Sequence, residues 1–227
     1  MALTLHYHPL SSSCWKALIA LYDCAIAFEA KMVNLGDSRS RADFMALWPT
    51  GKMPVLVDGA TVVPETSIII EYLSLHHAAA ARALIPSDAN AALEARLLDR
   101  VLDLYVMMPM QAIVADRLRA EADRDATAVA KARETLSMAY GLLEQRLHGR
   151  VWMAGDRFSL ADCAAAPALF YATTLVPFPP ASRLLGDYFE RVITRPSVAR
   201  VLQEAQPFFQ YYPYKEALPT RFLAPTS

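Results

Sequence analysis

Three serines and a cysteine occupy positions 11–14, between a predicted strand and a predicted helix. The strand is Leu3–Tyr7, and the helix is Cys14–Asp23, where apolar residues recur at helical spacing. A loop at such a junction directs its side chains and the free N–H groups of the helix to one point. Hydroxyl donors beside a helix N-terminus stabilise an anion. The pattern therefore predicts a place where a bound thiol is held as its thiolate.

The free energy that thiolate formation requires is modest. A free thiol has a pKa of about 8.5, and lowering that pKa by roughly two units takes about 2.7 kcal/mol. A hydrogen bond to a charged group supplies about 1.5–3 kcal/mol, and a helix N-terminus supplies up to about 2 kcal/mol. One serine hydroxyl and the helix end therefore suffice, without a general base.

A second stretch, Thr50–Leu73, combines a hairpin, a proline and a helix start. Two aliphatic runs joined by Asp58-Gly59 predict a β-hairpin. Met53-Pro54 leads into it, and a residue before proline favours extended geometry. A hydroxyl residue, Thr66 or Ser67, precedes the next apolar run and predicts a helix N-cap. The N-terminus of that helix would provide a site for a carboxylate.

This stretch resembles the glutathione-binding half of the cytosolic glutathione transferases. The matching residues are Lys52-Met53-Pro54, Asp58-Gly59, Glu65-Thr66, Ile69, Tyr72 and Leu73. The resemblance implies a cis bond before Pro54 and a backbone pairing between Met53 and the cysteinyl residue of glutathione. It also implies that Glu65 and Thr66 hold the γ-glutamyl end of the tripeptide.

Two basic residues join the predicted glutathione site by the same resemblance. Lys52 matches a site lysine of some serine-type members, and Arg39 lies about where a basic residue meets the glycyl carboxylate. An ordinary solvated charge is the alternative for both.

The choice of the catalytic hydroxyl depends on how the loop is aligned. Aligned through Cys14 and Trp15-Lys16, the loop resembles the serine-type classes, theta and zeta among them, and Ser11 takes the catalytic position. Aligned from Tyr7, it gives that position to Ser12. Tyr7 is a further candidate, because other classes use a tyrosine near the end of this strand. We favour Ser11, although serines at such a place often only cap a helix.

The resemblance implies a glutathione S-transferase that conjugates the glutathione thiolate to hydrophobic electrophiles, with glutathione as co-substrate. A zeta-like, glutathione-dependent cis-trans isomerase is one alternative, since the loop Ser11–Lys16 partly matches that class. A thiol-disulfide reductase using Cys14 is another, although Cys14 stands three residues too late for the cysteine-type role and suits a small buried residue. A non-catalytic protein that binds apolar ligands is the third.

The predicted elements divide the chain into two domains. Residues 1–80 have the order βαβαββα, which specifies a small mixed sheet flanked by helices and, with the resemblance, a thioredoxin-like α/β domain that binds glutathione. A linker is predicted at about 78–86. Residues 88–227 are predicted to form an all-helical domain that lines the hydrophobic substrate site.

Two long helices, Ala91–Leu118 and Ala128–Leu147, are predicted to pair in the second domain. Pro109 is expected to bend the first. Its apolar stripe consists of Leu93, Leu97, Val101, Leu104 and Met108. Ser159 and Asp162 form a predicted capping box before a buried helix, so Asp162 is assigned to folding.

Aromatic and methionine side chains are the candidates for the hydrophobic site. Tyr105, Met108 and Phe170, together with Met110, are the predicted lining residues. A possible lid is formed by the aromatic tail, Phe208, Phe209, Tyr211, Tyr212 and Tyr214.

Composition excludes several classes of function. With 22 basic and 23 acidic residues, the chain has no charge excess that indicates nucleic acid as a partner. The uncharged run Cys163–Ser182 is interrupted by prolines, which argues against a membrane span. Three cysteines and five histidines show no metal-ligand spacing, so no metal is expected. We expect a cytoplasmic protein, and the resemblance implies a homodimer.

Overall fold

The N-terminal part of the chain forms a four-stranded mixed sheet flanked by helices in a computed structural model that describes residues 3–77 and 84–223. The strands are β1 (Leu3–Tyr7), β2 (Phe28–Met32), β3 (Val55–Asp58) and β4 (Thr61–Pro64). They lie in the order β2-β1-β3-β4, with β1 parallel to β2 and the other pairs antiparallel. The helices are α1 (Ser12–Asp23), α2 (Ser38–Leu47) and α3 (Thr66–His76). The predicted βαβαββα order is confirmed.

The predicted hairpin at Asp58-Gly59 is also confirmed. Asp58 pairs with Thr61, and Gly59 between them has a φ of 59°, in the left-handed region that favours glycine. The Asp58 carboxylate accepts a hydrogen bond from the Tyr72 hydroxyl at 3.0 Å. This bond attaches the hairpin to α3, so the turn and the helix that follows it keep a fixed relation.

The C-terminal part is helical. Its helices are α4 (Ala89–Leu102), α5 (Met108–Arg117), α6 (Ala126–Arg146), α7 (Leu160–Thr173), α8 (Arg183–Ile193) and α9 (Pro196–Ala205), and short 3₁₀ turns follow up to Phe222. Helix α7 is buried along almost its whole length and packs between α1 and α4, so one hydrophobic core joins the sheet to the helices. Most of the predicted linker, residues 78–83, lies outside the described residues.

The predicted helix Ala91–Leu118 is interrupted by a π-helical turn at Asp103–Met107. The Met108 N–H donates to the Asp103 carbonyl, five residues earlier. Pro109 follows at once and has no N–H to donate. The wider π turn accommodates this missing donor, so the expected bend takes the form of a changed helical turn between α4 and α5.

Most of the predicted apolar stripe of this helix does not face the core, although Val101 is partly buried against it. Leu93, Leu97, Leu104 and Met108 are 65%, 44%, 41% and 58% exposed, respectively. The buried face of α4 consists of Ala92, Ala95, Leu98, Asp99 and Leu102 and packs against α7. Helix α6 packs mainly on α5, so the predicted pairing of the two long helices holds only for the second half of the first one.

The capping box at Ser159 is confirmed. The Asp162 carboxylate accepts from the Ser159 N–H at 2.9 Å, the Met153 N–H at 2.8 Å and the Tyr188 hydroxyl at 2.8 Å. Burial raises the pKa of Asp162 to about 6, against the opposite effect of these donors. The carboxylate ties α7 to α8 and to the preceding loop, which agrees with its assignment to folding.

Within the described ranges, no helix has the length and apolarity that crossing a membrane requires. The run Cys163–Ser182 forms most of buried α7 and the loop that follows it.

Candidate active site

Ser11 is the N-cap residue of α1. It has extended backbone angles, and its hydroxyl oxygen accepts a hydrogen bond from the Cys14 N–H at 3.4 Å. Capping uses a lone pair of the hydroxyl and leaves its proton free to donate. The capping role and the predicted role as a thiolate donor are therefore compatible in the same side chain.

A cavity of about 730 Å³ extends from Ser11 to the hairpin and the start of α3. Its wall includes five residues of the predicted glutathione site, Lys52, Met53, Pro54, Glu65 and Thr66, as well as Ser13, Asn34 and Gln111. The Met53-Pro54 bond is cis, as the resemblance implies. The fold thus brings the predicted glutathione-site residues, which are distant from Ser11 in the sequence, to the same cavity as Ser11.

The start of α3 differs from the expected hydroxyl cap. Glu65 occupies the N-cap position, and Thr66 is the first helical residue. No side-chain capping bond to this end of α3 is found among the described residues, and the Glu65 φ is 65°. An unusual φ at a non-glycine residue is often found where the backbone serves a function. The end of α3 on the cavity wall is therefore available to an anionic ligand.

A second cavity, of about 390 Å³, lies on the other side of Ser11 and has mostly apolar walls. Helix α5 contributes Met110, Val114 and Leu118. The remaining walls include Ser12, Tyr171, Tyr211, Tyr212 and Pro213. Leu10, Ser11 and Gln111 belong to both cavities, so the Ser11 side chain stands where the two meet.

Comparisons with known proteins identify the family to which the chain belongs. Residues 10–75 match the model of the glutathione S-transferase N-terminal domain, and residues 101–196 match that of the C-terminal domain. Glutathione S-transferase 3 of Zea mays is 30% identical over 209 residues, which cover 88% of this chain and 93% of that relative. The chain belongs to the glutathione S-transferase family. The family, its fold and its transferase class, all predicted from the sequence, are thereby confirmed.

Other relatives of this transferase include solved structures with ligands. A glutathione S-transferase from Methylobacillus flagellatus with glutathione bound has a TM-score of 0.80 and 25% identity, covering 88% of this chain and 98% of its own. One from Methylobacterium radiotolerans in complex with glutathione sulfonate has a TM-score of 0.77 and 28% identity, covering 88% and 94%. FtsZ-localized protein A of Caulobacter vibrioides is 32% identical over 175 residues, covering 73% and 75%.

The alternative catalytic hydroxyls of the transferase lie less favourably than Ser11. Ser12 is buried, lines only the apolar cavity of the two, and its hydroxyl accepts from Gln111 Nε2 at 3.4 Å. Tyr7 lines neither cavity.

Cys14 is fully buried. Its Sγ accepts a hydrogen bond from the His8 N–H at 3.4 Å, and burial raises the pKa of the thiol to about 12. A thiol in this state is neither ionised at neutral pH nor accessible to a substrate. This geometry supports the interpretation of Cys14 as a core residue over that of a reductase thiol.

Three residues predicted for the hydrophobic site lie outside the apolar cavity. Phe170 is 2% exposed and packs in the core beside Trp15, with 5.0 Å between their ring centroids. Tyr105 and Met108 are exposed at and just after the π-helical turn and do not line the cavity. Of the methionines considered, Met110 does line the cavity.

Most residues of α5 that line the apolar cavity were not predicted from the sequence. Gln111, Val114 and Leu118 were not among the candidates, although Met110, Val114 and Leu118 recur at a spacing of four. That spacing places them on one helix face and was a usable signal. In the aromatic tail, Tyr211 and Tyr212 line the cavity, while Phe209 is buried in the core.

Arg39 lines neither of the cavities that meet at Ser11. It lines a separate cavity of about 290 Å³ with His6, Lys31 and Asp37 among others. Its predicted contact with the glycyl carboxylate stays a prediction.

A buried ion cluster, which the sequence did not reveal, connects the glutathione side to the helical part. Lys16 of α1 is 1% exposed, and its Nζ lies 2.5 Å from Asp99 and 3.2 Å from Asp103. Ser67, at the start of α3, accepts from Lys16 Nζ at 2.9 Å and donates to Asp99 at 2.7 Å. Burial raises the pKa of Asp103, and Lys16 opposes that effect. The cluster fixes the first turn of α3 against α1 and α4.

Among residues 3–77 and 84–223, no group of His, Cys, Asp or Glu side chains is arranged to hold a metal ion.

Proposed function

We propose that this transferase holds glutathione in the larger cavity, stabilises its thiolate with the Ser11 hydroxyl, and transfers it to a hydrophobic electrophile in the apolar cavity. The observation that carries the proposal is the position of Ser11 at the junction of the two cavities. A glutathione sulfur bound beside Ser11 would lie next to the hydroxyl that stabilises it and next to an electrophile in the apolar cavity. The two reactants would thus be held close together.

The predicted binding residues provide complementary groups for the tripeptide. The backbone of Met53, at the edge of the sheet before β3, pairs with the cysteinyl residue. Glu65 and Thr66, at the start of α3, hold the γ-glutamyl end through the Glu65 carboxylate and the free N–H groups of the helix. Lys52 supplies a positive charge on the same wall.

The electrophile is proposed to be apolar, because Met110, Val114, Leu118 and the tail tyrosines dominate the second cavity. Tyr211 is 69% exposed at its edge and is suited to cover a bound substrate. The walls carry few polar groups that would select one compound, which favours a broad range of substrates.

A homodimer in the cytoplasm completes the proposal. Exposed apolar residues occur on α3, on α4 and just after it: Ile68, Leu75, Leu93, Leu97, Leu104 and Met108. Exposed apolar surface of this kind is typical of interfaces. A second copy of the chain is the partner that the family resemblance implies.

The conjugation assay that tests the proposal compares Ser11→Ala with Ser13→Ala. Both remove one hydroxyl from the same loop and the same cavity wall, but only Ser11 also borders the apolar cavity. Removing a donor to a developing or bound anion typically costs about 100-fold in rate. We expect kcat/KM with a dinitroaryl chloride to fall by about that factor in Ser11→Ala and by less than about threefold in Ser13→Ala. Equal activity of the two variants would assign the hydroxyl elsewhere.

A further inference from the structure

Hydrogen bonds to neighbouring groups hold the backbone of the loop His8–Ser11, which carries the catalytic serine. The His8 N–H donates to Cys14 Sγ at 3.4 Å, and the His8 carbonyl accepts from the Ser11 N–H at 3.0 Å. The Pro9 carbonyl accepts from Trp15 Nε1 at 2.6 Å. The Ser11 carbonyl accepts from the Trp15 N–H at 3.2 Å. Proline has no N–H, so only Leu10 remains to be accounted for.

Leu10 completes the set through two side chains. Its carbonyl accepts from the Tyr171 hydroxyl at 3.0 Å, and its N–H donates to His8 Nδ1 at 3.1 Å. Every backbone polar group of the loop therefore has a partner, as backbone groups out of contact with water require. The bond to His8 Nδ1 is the one that depends on the protonation of an imidazole.

We infer that His8 is a positioning residue for Ser11, and that it acts by accepting the Leu10 N–H at the unprotonated Nδ1 of its ring. The inference rests on the proposed role of Ser11. A neutral imidazole with an acceptor at Nδ1 carries its proton at Nε2, whereas a protonated ring has donors at both nitrogens. Protonation of His8 would turn the Leu10 contact into a meeting of two donors and release the residue next to Ser11.

The surroundings of His8 favour the neutral ring. Burial lowers the pKa of His8 below its usual value of 6.5, so the acceptor form predominates at pH 7. The Phe208 ring packs edge-on against the imidazole, with 5.6 Å between centroids.

The ionisable groups around His8 come from several elements. Lys52 and Glu65 are charged residues that line the same cavity as His8. Tyr7 precedes His8 in the chain, and the Cys14 thiol touches its N–H. The pKa values of Tyr7 and Cys14 are raised, so neither gains charge near neutrality.

The test uses His8→Asn and His8→Ala in the full chain, each with Ser11 and with Ser11→Ala. An asparagine side-chain oxygen accepts the N–H two residues later, as in an Asx turn, but does not titrate. We expect His8→Ala to lower kcat/KM about tenfold at pH 7.5 when Ser11 is present, and less than twofold when it is absent. His8→Asn should retain at least a third of the native value.

The pH profile supplies a second measurement, which also serves if His8→Ala fails to fold. In the native protein both the bound thiol and His8 take up protons in acid. The fall of kcat, which reports groups of the bound complex, should therefore be steeper than one proton over the range in which both titrate. In His8→Asn the slope should be one. Equal losses from His8→Ala with and without Ser11, or an equally steep fall in His8→Asn, would overturn the inference. If Ser11→Ala alone has no effect, the proposed function fails instead.

Discussion

The Ser11 hydroxyl accepts one hydrogen bond and can donate a second. The Cys14 N–H occupies a lone pair of Ser11. Because a hydroxyl accepts and donates independently, capping α1 does not prevent Ser11 from donating to a bound thiolate. The residue type is thus sufficient for both roles, and the helix N-terminus behind it adds to the stabilisation of an anion.

Substitution of Cys14 tests whether its thiol takes part in the reaction. Cys14→Ala is expected to retain conjugation within about threefold, because the thiol is buried and un-ionised and takes no chemical part in the proposed mechanism. Steady-state kcat/KM and circular dichroism of the variant check this. Loss of turnover in a variant that is still folded would revive the reductase hypothesis.

At the scale of elements, two ion pairs that differ in burial link α4 to its neighbours. The buried Lys16 cluster joins α1 to α4 and contacts α3 through Ser67. Arg96 of α4 pairs with Glu71 of α3 at 2.6 Å, with the Arg96 side chain 46% exposed. Buried pairs cost much when one partner is lost, since an uncompensated charge remains, and exposed pairs contribute little.

Lys16→Met should therefore lower the free energy of unfolding by about 3 kcal/mol or more. The control Arg96→Met removes a cation from the exposed pair between α4 and α3 and should cost less than about 1 kcal/mol. Urea unfolding monitored by fluorescence measures both values. If the two variants prove equally stable, the buried cluster does not hold α3 in place.

Most helices and strands are predictable from the local sequence. Where the structure differs from the prediction, the cause lies mainly in contacts between distant parts of the chain. The hairpin at Asp58-Gly59 and the capping box at Ser159 depend on neighbouring residues, so the sequence predicts them correctly. Pro109 signals a disturbed helix, but its sequence does not say that the disturbance takes the form of a π-helical turn. The ion cluster around Lys16 depends on helices that meet in space and has no local signal. The apolar periodicity of α4 was visible, but periodicity alone does not say whether the core or a partner covers a stripe.

The same reasoning explains which site residues were found. Lys52, Met53, Pro54, Glu65 and Thr66 lie in a continuous motif, and the fold brings them to one cavity as expected. The wall of the apolar cavity combines α5, α7 and the tail, which are far apart in the sequence. Tyr171 lines the cavity and its neighbour Phe170 does not, which the sequence of α7 alone does not reveal.

For the whole molecule, the exposed stripe of α4 predicts association of two chains. Leu93 and Leu97 are 65% and 44% exposed, and charges placed on an interface core are strongly unfavourable. We expect Leu93→Glu with Leu97→Glu to shift the mass measured by light scattering from dimer to monomer. Met138→Glu, at an exposed methionine of α6, should leave the mass unchanged. A native protein that is monomeric at micromolar concentration would contradict the proposed homodimer.

The most direct test of the account as a whole is the ultraviolet absorbance of the thiolate of bound glutathione, titrated against pH in the native protein and in Ser11→Ala. We predict a thiol pKa about two units below the free value in the native protein, and a shift smaller by at least about one unit in the variant. An unshifted thiol in the native protein would favour a non-catalytic binding protein. An identical shift in both proteins would contradict the role of Ser11.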